Sequence, residues 1–186
     1  ANAISLAEFK ERKGDCNNLS RHAVEINIRA ARIARQAIKW YYSEVRSCGS
    51  RWVAGSVGPT SKSLSMASSI DANGDSITWQ QLVDAYIVQM SALIAGGVDL
   101  LLIETVFDGL NAKAALYAAQ QAMQRTRVNL PIMLSVTLTE SGRTLSGQTL
   151  EAFIASVSHV PLFSIGLNCG FGADGMIPHI EALQNV

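Results

Sequence analysis

Four short runs along the chain are almost free of polar residues, and each is followed by a turn and a longer stretch with apolar positions at helical spacing. The runs are RWVAGSVGP at 51–59, VDLLLIET at 98–105, LPIMLSVTLT at 130–139 and VPLFSIGLN at 160–168. Near-continuous apolar runs of this length predict strands buried on both faces, as in a parallel sheet. Helices are predicted over 17–45, 78–97, 108–125, 147–159 and 173–186. In the first of these, Val24, Ile28, Ala31 and Ala34 form the apolar stripe. Thr78 and Asp108 are N-cap candidates, and Gly96 with Gly97 is a stop signal. Pro178 falls early in the last helix, where proline is best tolerated.

Strands that alternate with helices make βαβ units. Two architectures satisfy that order, the doubly wound open sheet and the (β/α)8 barrel. No G-x-G-x-x-G follows the first strand, which weakens the dinucleotide-binding version of the open sheet. Polar residues instead collect at the C-terminal ends of the runs: Glu104 and Thr105, Thr137 and Thr139, Asn168 and Cys169. A barrel builds its site at that end. Four units in 186 residues are half of such a barrel, which takes about 250 residues, so the expectation is part of a larger domain.

Composition narrows the function classes. The chain is 48% hydrophobic and 16% charged, enough apolar material for one core. Its 15 basic and 15 acidic residues cancel, with no basic stripe. Charge therefore offers no argument for nucleic acid or for an anionic membrane surface. No apolar run reaches the length of a membrane span, and ANAISLAEFKERKGD lacks the pattern of a signal peptide. Three scattered cysteines, Cys16, Cys48 and Cys169, argue against a disulfide framework and fit a reducing cytoplasm.

The chemistry-bearing residues each carry two readings. Cys169, in GLNCG, is either a packed thiol or a metal-bound thiolate at a barrel mouth. Glu104 ends an apolar strand, where a carboxylate needs a partner such as a neighbouring Arg or Lys. Thr105, Asp108 and Asn111 are expected to hold a loop and cap the following helix. Ser146, Gly147 and Gln148 open a predicted helix, whose free N–H groups either bind a carboxylate or are capped in the ordinary way. His22, His159 and His179 fall on helices or at their ends and read as surface or packing residues. Cys16, in a polar loop, and Cys48, in the SCGS turn, are not ligand candidates.

The stretches VAGSVGPTSKS, GGVDLLLIETVFDGLNAKAAL, LPIMLSVTLTESGRTLSGQTLEAF and FSIGLNCGFG resemble, in the same order, the homocysteine-binding domain of cobalamin-dependent methionine synthases. LLIETVFDGLNAKAAL and SGRTLSGQT are long and unusual strings, and the second points to that family over the betaine- and S-methylmethionine-dependent methyltransferases. The resemblance implies a (β/α)8 TIM barrel of which residues 1–186 cover βα units three to six, without units one and two or seven and eight. It implies a zinc site of three cysteines. Cys169 matches the ligand of the Gly-Leu-Asn-Cys motif, and the other two ligands form a pair in a later motif that this chain lacks. It further implies that Glu104 captures the homocysteine amino group and that Asn168 and Asn2 bind substrate or, for Asn168, orient the ligand. The family usually has Thr-Asn-Thr-Phe where this chain has ANAI, so Asn2 is kept while Ala1 and Ala3 replace the threonines.

The implied chemistry suits a thiol substrate. A free thiol has a pKa of about 8.5, and Zn²⁺ holds it as thiolate at neutral pH. Three protein ligands leave a fourth tetrahedral position for the homocysteine sulfur, which takes its methyl group from methylcobalamin. Methylcobalamin is remade from 5-methyltetrahydrofolate by folate- and cobalamin-binding modules of the same polypeptide. Implied partners are thus homocysteine and those modules. On its own, a half-barrel would expose sheet edges and apolar faces and self-associate as a non-catalytic fragment.

Overall fold

A computed structural model of the chain describes residues 19–45, 49–66 and 77–184. The elements are α1 (Leu19–Val45), β1 (Ala54–Val57), α2 (Trp79–Gly96), β2 (Leu100–Val106), α3 (Gly109–Thr126), β3 (Ile132–Val136), α4 (Leu150–Val157), β4 (Ser164–Leu167) and α5 (Ala173–Leu183). The strands form one parallel sheet in the order β1-β2-β3-β4. That order decides between the two architectures. A doubly wound sheet reverses strand order at its switch point, whereas here each strand lies beside its predecessor. With right-handed crossovers, every connecting helix then falls on the same face, as in a barrel wall.

The two faces of the sheet differ accordingly. Val57, Ile103 and Leu134 lie in register across β1, β2 and β3 and are 0%, 2% and 1% exposed. They join Leu82, Met90, Leu101, Leu116 and Phe153 in the core between sheet and helices. The opposite row, Ser56, Leu102, Met133 and Ser164, is only half-buried. Alternation along each strand thus separates a helix-covered face from an open one.

Small residues bring the helices close. Ala112, Ala114, Ala115, Ala118, Ala119 and Ala122 put the bodies of α3 into the core with almost no exposure. At Gly96 a Cβ would lie 2.6 Å from Ala31 Cβ and 2.9 Å from the Ile28 carbonyl oxygen, so α1 rests directly on the end of α2. This contact corrects the expected stripe on α1. The buried positions are Ala23, Asn27 and Ala31, while Val24 is 44% exposed and Ala34 is exposed. The smallest side chains face α2, and Asn27 is tolerated there because its Nδ2 donates to the Ala23 carbonyl at 2.8 Å.

The predicted caps are in place. Thr78 and Gln81 form a reciprocal capping box, and Gly97 ends α2 with φ 90°. Asp108 caps α3 through Leu110 N–H. Just beyond α2, Asp99 accepts from Val53 N–H at 2.7 Å and pairs with Arg35 of α1 at 2.7 Å. Burial alone would raise the Asp99 pKa, but the Arg35 hydrogen bond, the Val53 N–H and the Arg35 charge together carry it below its ordinary value. The start of the fourth helix and the place of proline in the fifth differ from expectation. The helix predicted over 147–159 starts at Leu150, capped by Thr149. Pro178 lies inside α5, in its second turn, in a helix with no fully buried residue.

Candidate functional site

The strand tips meet at the C-terminal edge of the sheet, and a bulge shapes that of β2. Between the pairs Ile103↔Leu134 and Val106↔Val136, β2 places Glu104 and Thr105 against the single residue Ser135. Such an extra residue re-aims side chains and is common beside active sites. Thr105 has φ 58°, the left-handed region that a β-branched residue seldom enters. Glu104 stays half-buried and accepts a hydrogen bond from Ser56 Oγ on β1.

From β4, Asn168 reaches back across β3 to this bulge. Its Oδ1 accepts from Thr105 N–H at 3.0 Å and from Ser135 Oγ at 2.6 Å. Its Nδ2 donates to Thr105 Oγ1 at 2.7 Å and to Cys169 Sγ at 3.2 Å. Its backbone is held as well: Asn168 N–H donates to the Val136 carbonyl at 3.1 Å, and Thr137 Oγ1 donates to the Asn168 carbonyl at 2.9 Å. Cys169 itself has φ 59°, and its free thiol is exposed.

Gly170 explains the last letter of GLNCG. Its φ is 77°, and a Cβ there would collide with the Leu138 carbonyl oxygen. A backbone carbonyl cannot swing away as a flexible side chain can. Gly170→Ala should therefore cost about 2–3 kcal/mol from left-handed strain and overpacking together. A urea melt that leaves the variant within about 0.5 kcal/mol of wild type, the ordinary range for a surface change, would show that this turn is not tightly held.

The loop after β1 closes the site on one side. Asp108 accepts from Ser63 Oγ, from Ser65 N–H at 3.0 Å and from Ser65 Oγ at 2.6 Å, besides Leu110 N–H at 2.8 Å. Asn111 donates to the Lys62 carbonyl at 2.8 Å and accepts from Leu64 N–H at 2.9 Å. The expected loop-holding role of Asp108 and Asn111 is thus met, and the loop they hold is the one that follows β1. Thr105 does something else: it anchors Asn168. A small cavity of about 10 Å³, the size of one water, lies between this loop, Glu104, Phe107 and Tyr86.

The structure shows no free carboxylate site at Ser146, Gly147 and Gln148 and agrees with the ordinary reading, in which their N–H groups are satisfied within the chain. These residues precede α4, and their N–H groups are used internally. Ser146 N–H donates to the Phe107 carbonyl at 3.3 Å, Gly147 N–H to the Thr144 carbonyl at 2.8 Å and Gln148 N–H to Thr144 Oγ1 at 3.1 Å. The histidines stay off the strand tips: His22 pairs with Glu25, His159 is exposed, and His179 stacks on Phe171 at 5.1 Å.

Of the residues singled out from the sequence, Glu104, Asn168 and Cys169 share one end of the sheet. Glu104 and Asn168 are joined through the neighbouring Thr105. Asn2, Ala1, Ala3, Cys16 and Cys48 lie outside the described residues. Ser56 and Ser135 were not anticipated. Their signal is present in the sequence, as single serines interrupting apolar strand runs. Among the described residues there is no cluster of three or more His, Cys, Asp or Glu that could hold a metal ion, and no helix is long and apolar enough to cross a membrane.

A sequence profile described as homocysteine S-methyltransferase matches residues 4–186. The chain belongs to the homocysteine S-methyltransferase family. Solved structures of the homocysteine methyltransferase MmuM from Escherichia coli share the fold. The apo form has a TM-score of 0.68 at 22% identity, covering 92% of this chain and 58% of that one. The metallated form gives 0.66 at 21% identity, over 87% and 55%. The oxidized form gives 0.71 at 22%, over 97% and 60%. The chain thus spans a little under three-fifths of the apo enzyme it matches. As a member of this homocysteine S-methyltransferase family, it carries its polar strand tips at the end where barrel enzymes bind substrate.

Proposed function

We propose that this chain is the central part, βα units three to six, of a zinc-dependent homocysteine S-methyltransferase barrel, and that the intact protein makes methionine in the manner of cobalamin-dependent methionine synthases. The observation that carries this reading is the family match over residues 4–186, combined with an exposed Cys169 thiol at a strand tip. The half-buried row of Leu102 and Met133 supports the partial barrel, since the remaining units would cover that face.

Cys169 fits zinc as one donor: it is a thiol, exposed, and oriented by an amide N–H. Among the described residues no cluster of three or more possible ligands surrounds it, so a zinc site would need further ligands from other residues of the protein. A related homocysteine methyltransferase has been seen in a metallated form. When bound, zinc would supply the Lewis acid that keeps the substrate thiol deprotonated at neutral pH. Glu104 would take the homocysteine ammonium, its carboxylate steadied by Ser56. Asn2 would contribute from the segment before α1. Methylcobalamin and 5-methyltetrahydrofolate would be held by other modules of the polypeptide. SGRTLSGQT favours that donor over betaine or S-methylmethionine.

The deciding experiment measures zinc content and homocysteine binding of the full-length protein. One zinc per chain, and homocysteine binding that disappears with a chelator, are expected. A protein that holds no zinc and no homocysteine overturns the reading. Turnover with S-methylmethionine or betaine and none with methylcobalamin would replace the donor and keep the acceptor.

A further inference from the structure

We propose that Asn168 and Thr105 are positioning residues. The Asn168 carboxamide, wired to the β2 bulge, fixes the direction of the Cys169 sulfur and makes no contact with substrate. The proposal rests on the zinc-dependent reading above and adds how the ligand is aimed.

The orientation of the carboxamide follows from its partners. Thr105 N–H can only donate, so the atom facing it must be Oδ1. The amino group therefore faces Thr105 Oγ1 and Cys169 Sγ. An Asn side chain has two acceptor sites and two donor hydrogens. Both acceptor sites are filled, by Thr105 N–H and Ser135 Oγ, and both hydrogens are used, on Thr105 Oγ1 and Cys169 Sγ. Nothing remains with which to bind a substrate amino or carboxylate group. The sequence left Asn168 between substrate binding and ligand orientation, and a saturated amide favours orientation.

Thr105 is the other half of the device. Its left-handed backbone, a conformation that a β-branched residue seldom enters, points N–H and Oγ1 at the same side chain. A β-strand without the bulge would send the amide along the ladder to the next strand. With it, β2 and β4 are joined across β3 through one residue whose remaining N–H bond ends on sulfur. Two consecutive left-handed residues, Cys169 and Gly170, then turn the chain sharply away, so the sulfur direction depends on this side-chain grip more than on a continuing strand.

Outer partners of metal ligands change metal affinity by about 10- to 100-fold. In the full-length protein, with zinc affinity read by chelator competition, Asn168→Ala and Thr105→Val should each weaken zinc by that factor. Thr105→Ser keeps the hydroxyl and should retain wild-type affinity. Thermal melts run alongside, and should Asn168→Ala not fold, the Thr105→Val and Thr105→Ser pair carries the test with Asn168 intact. Wild-type zinc affinity in Asn168→Ala, with only the KM for homocysteine raised, overturns the proposal and makes Asn168 a substrate contact. Equal weakening in Thr105→Ser and Thr105→Val overturns the hydroxyl's part in it. A wild-type protein without zinc overturns the proposed function itself, and shows before any variant is compared.

Discussion

Cys169→Ser is expected to abolish the proposed zinc binding of the full-length protein while leaving its fold intact. Structural zinc sites bind with about 10–16 kcal/mol over four ligands, so one ligand is worth about 3–4 kcal/mol, or roughly 10²- to 10³-fold in affinity. Serine cannot replace the donor, because its hydroxyl does not ionise near neutral pH and oxygen is a harder ligand than thiolate. The fold should tolerate the change. Cys169 is exposed, and a serine hydroxyl can still accept the Asn168 N–H that the sulfur accepts. With zinc removed from both proteins, the melting temperature should therefore stay close to wild type, within the range of an ordinary surface substitution of about 0.5 kcal/mol. Methyl transfer to homocysteine should fall at least as far as zinc affinity at sub-saturating metal. Metal analysis and calorimetric melting of the same preparation check both halves. Unchanged zinc would return Cys169 to the reading of a simple strand-end thiol.

How far the site could be read in advance depended on whether its information was local. The strand VDLLLIET and the caps Thr78 and Asp108 are written in neighbouring residues, through apolar runs and short polar side chains ahead of helices. So is the gathering of Glu104, Asn168 and Cys169, since strand ends were legible and parallel strands bring like ends together. The α1 stripe was only partly placed because burial there is set in part by the closeness of Gly96, a partner distant in sequence, against which the small Ala31 fits. The use of the Ser146, Gly147 and Gln148 N–H groups could not be decided locally for a similar reason. Their acceptors include the Phe107 carbonyl, and the turn closed by Thr144 has no helical periodicity to reveal it. The Thr105–Asn168 pair lies beyond local reading altogether. It needs a bulge, which is a register difference between two strands and cannot be seen in either one.

Asp108→Ala should lower the stability of the protein by about 3–5 kcal/mol, and the effect should fade in acid. Asp108 is fully buried, and four donors converge on its carboxylate: two from Ser65, one from Ser63 and one from Leu110. An ionised carboxylate has room for all four, having acceptor sites only. Alanine removes the cap of α3 and strands the serine groups of the β1 loop without an acceptor. Asp108→Asn separates shape from charge. Its amino group would meet donors on one side, so it should lose most of what alanine loses, despite its size. The pH dependence follows from the same contacts. Burial by itself raises the Asp108 pKa, but the Ser63, Ser65 and Leu110 hydrogen bonds outweigh it and carry the pKa below its ordinary value. A group with a depressed folded pKa contributes stability that is present above its unfolded value of about 3.9 and is lost as pH falls through the folded one. The wild-type advantage over Asp108→Asn should therefore be full at neutral pH and shrink below about pH 4. Urea melts of both proteins at several pH values test this, with Asp99, also depressed, common to both. A difference that holds constant into acid would mean that Asp108 acts by shape alone. Because the same carboxylate pins the loop that borders Glu104, a partial loss of stability at Asp108 should also loosen the wall of the proposed homocysteine site.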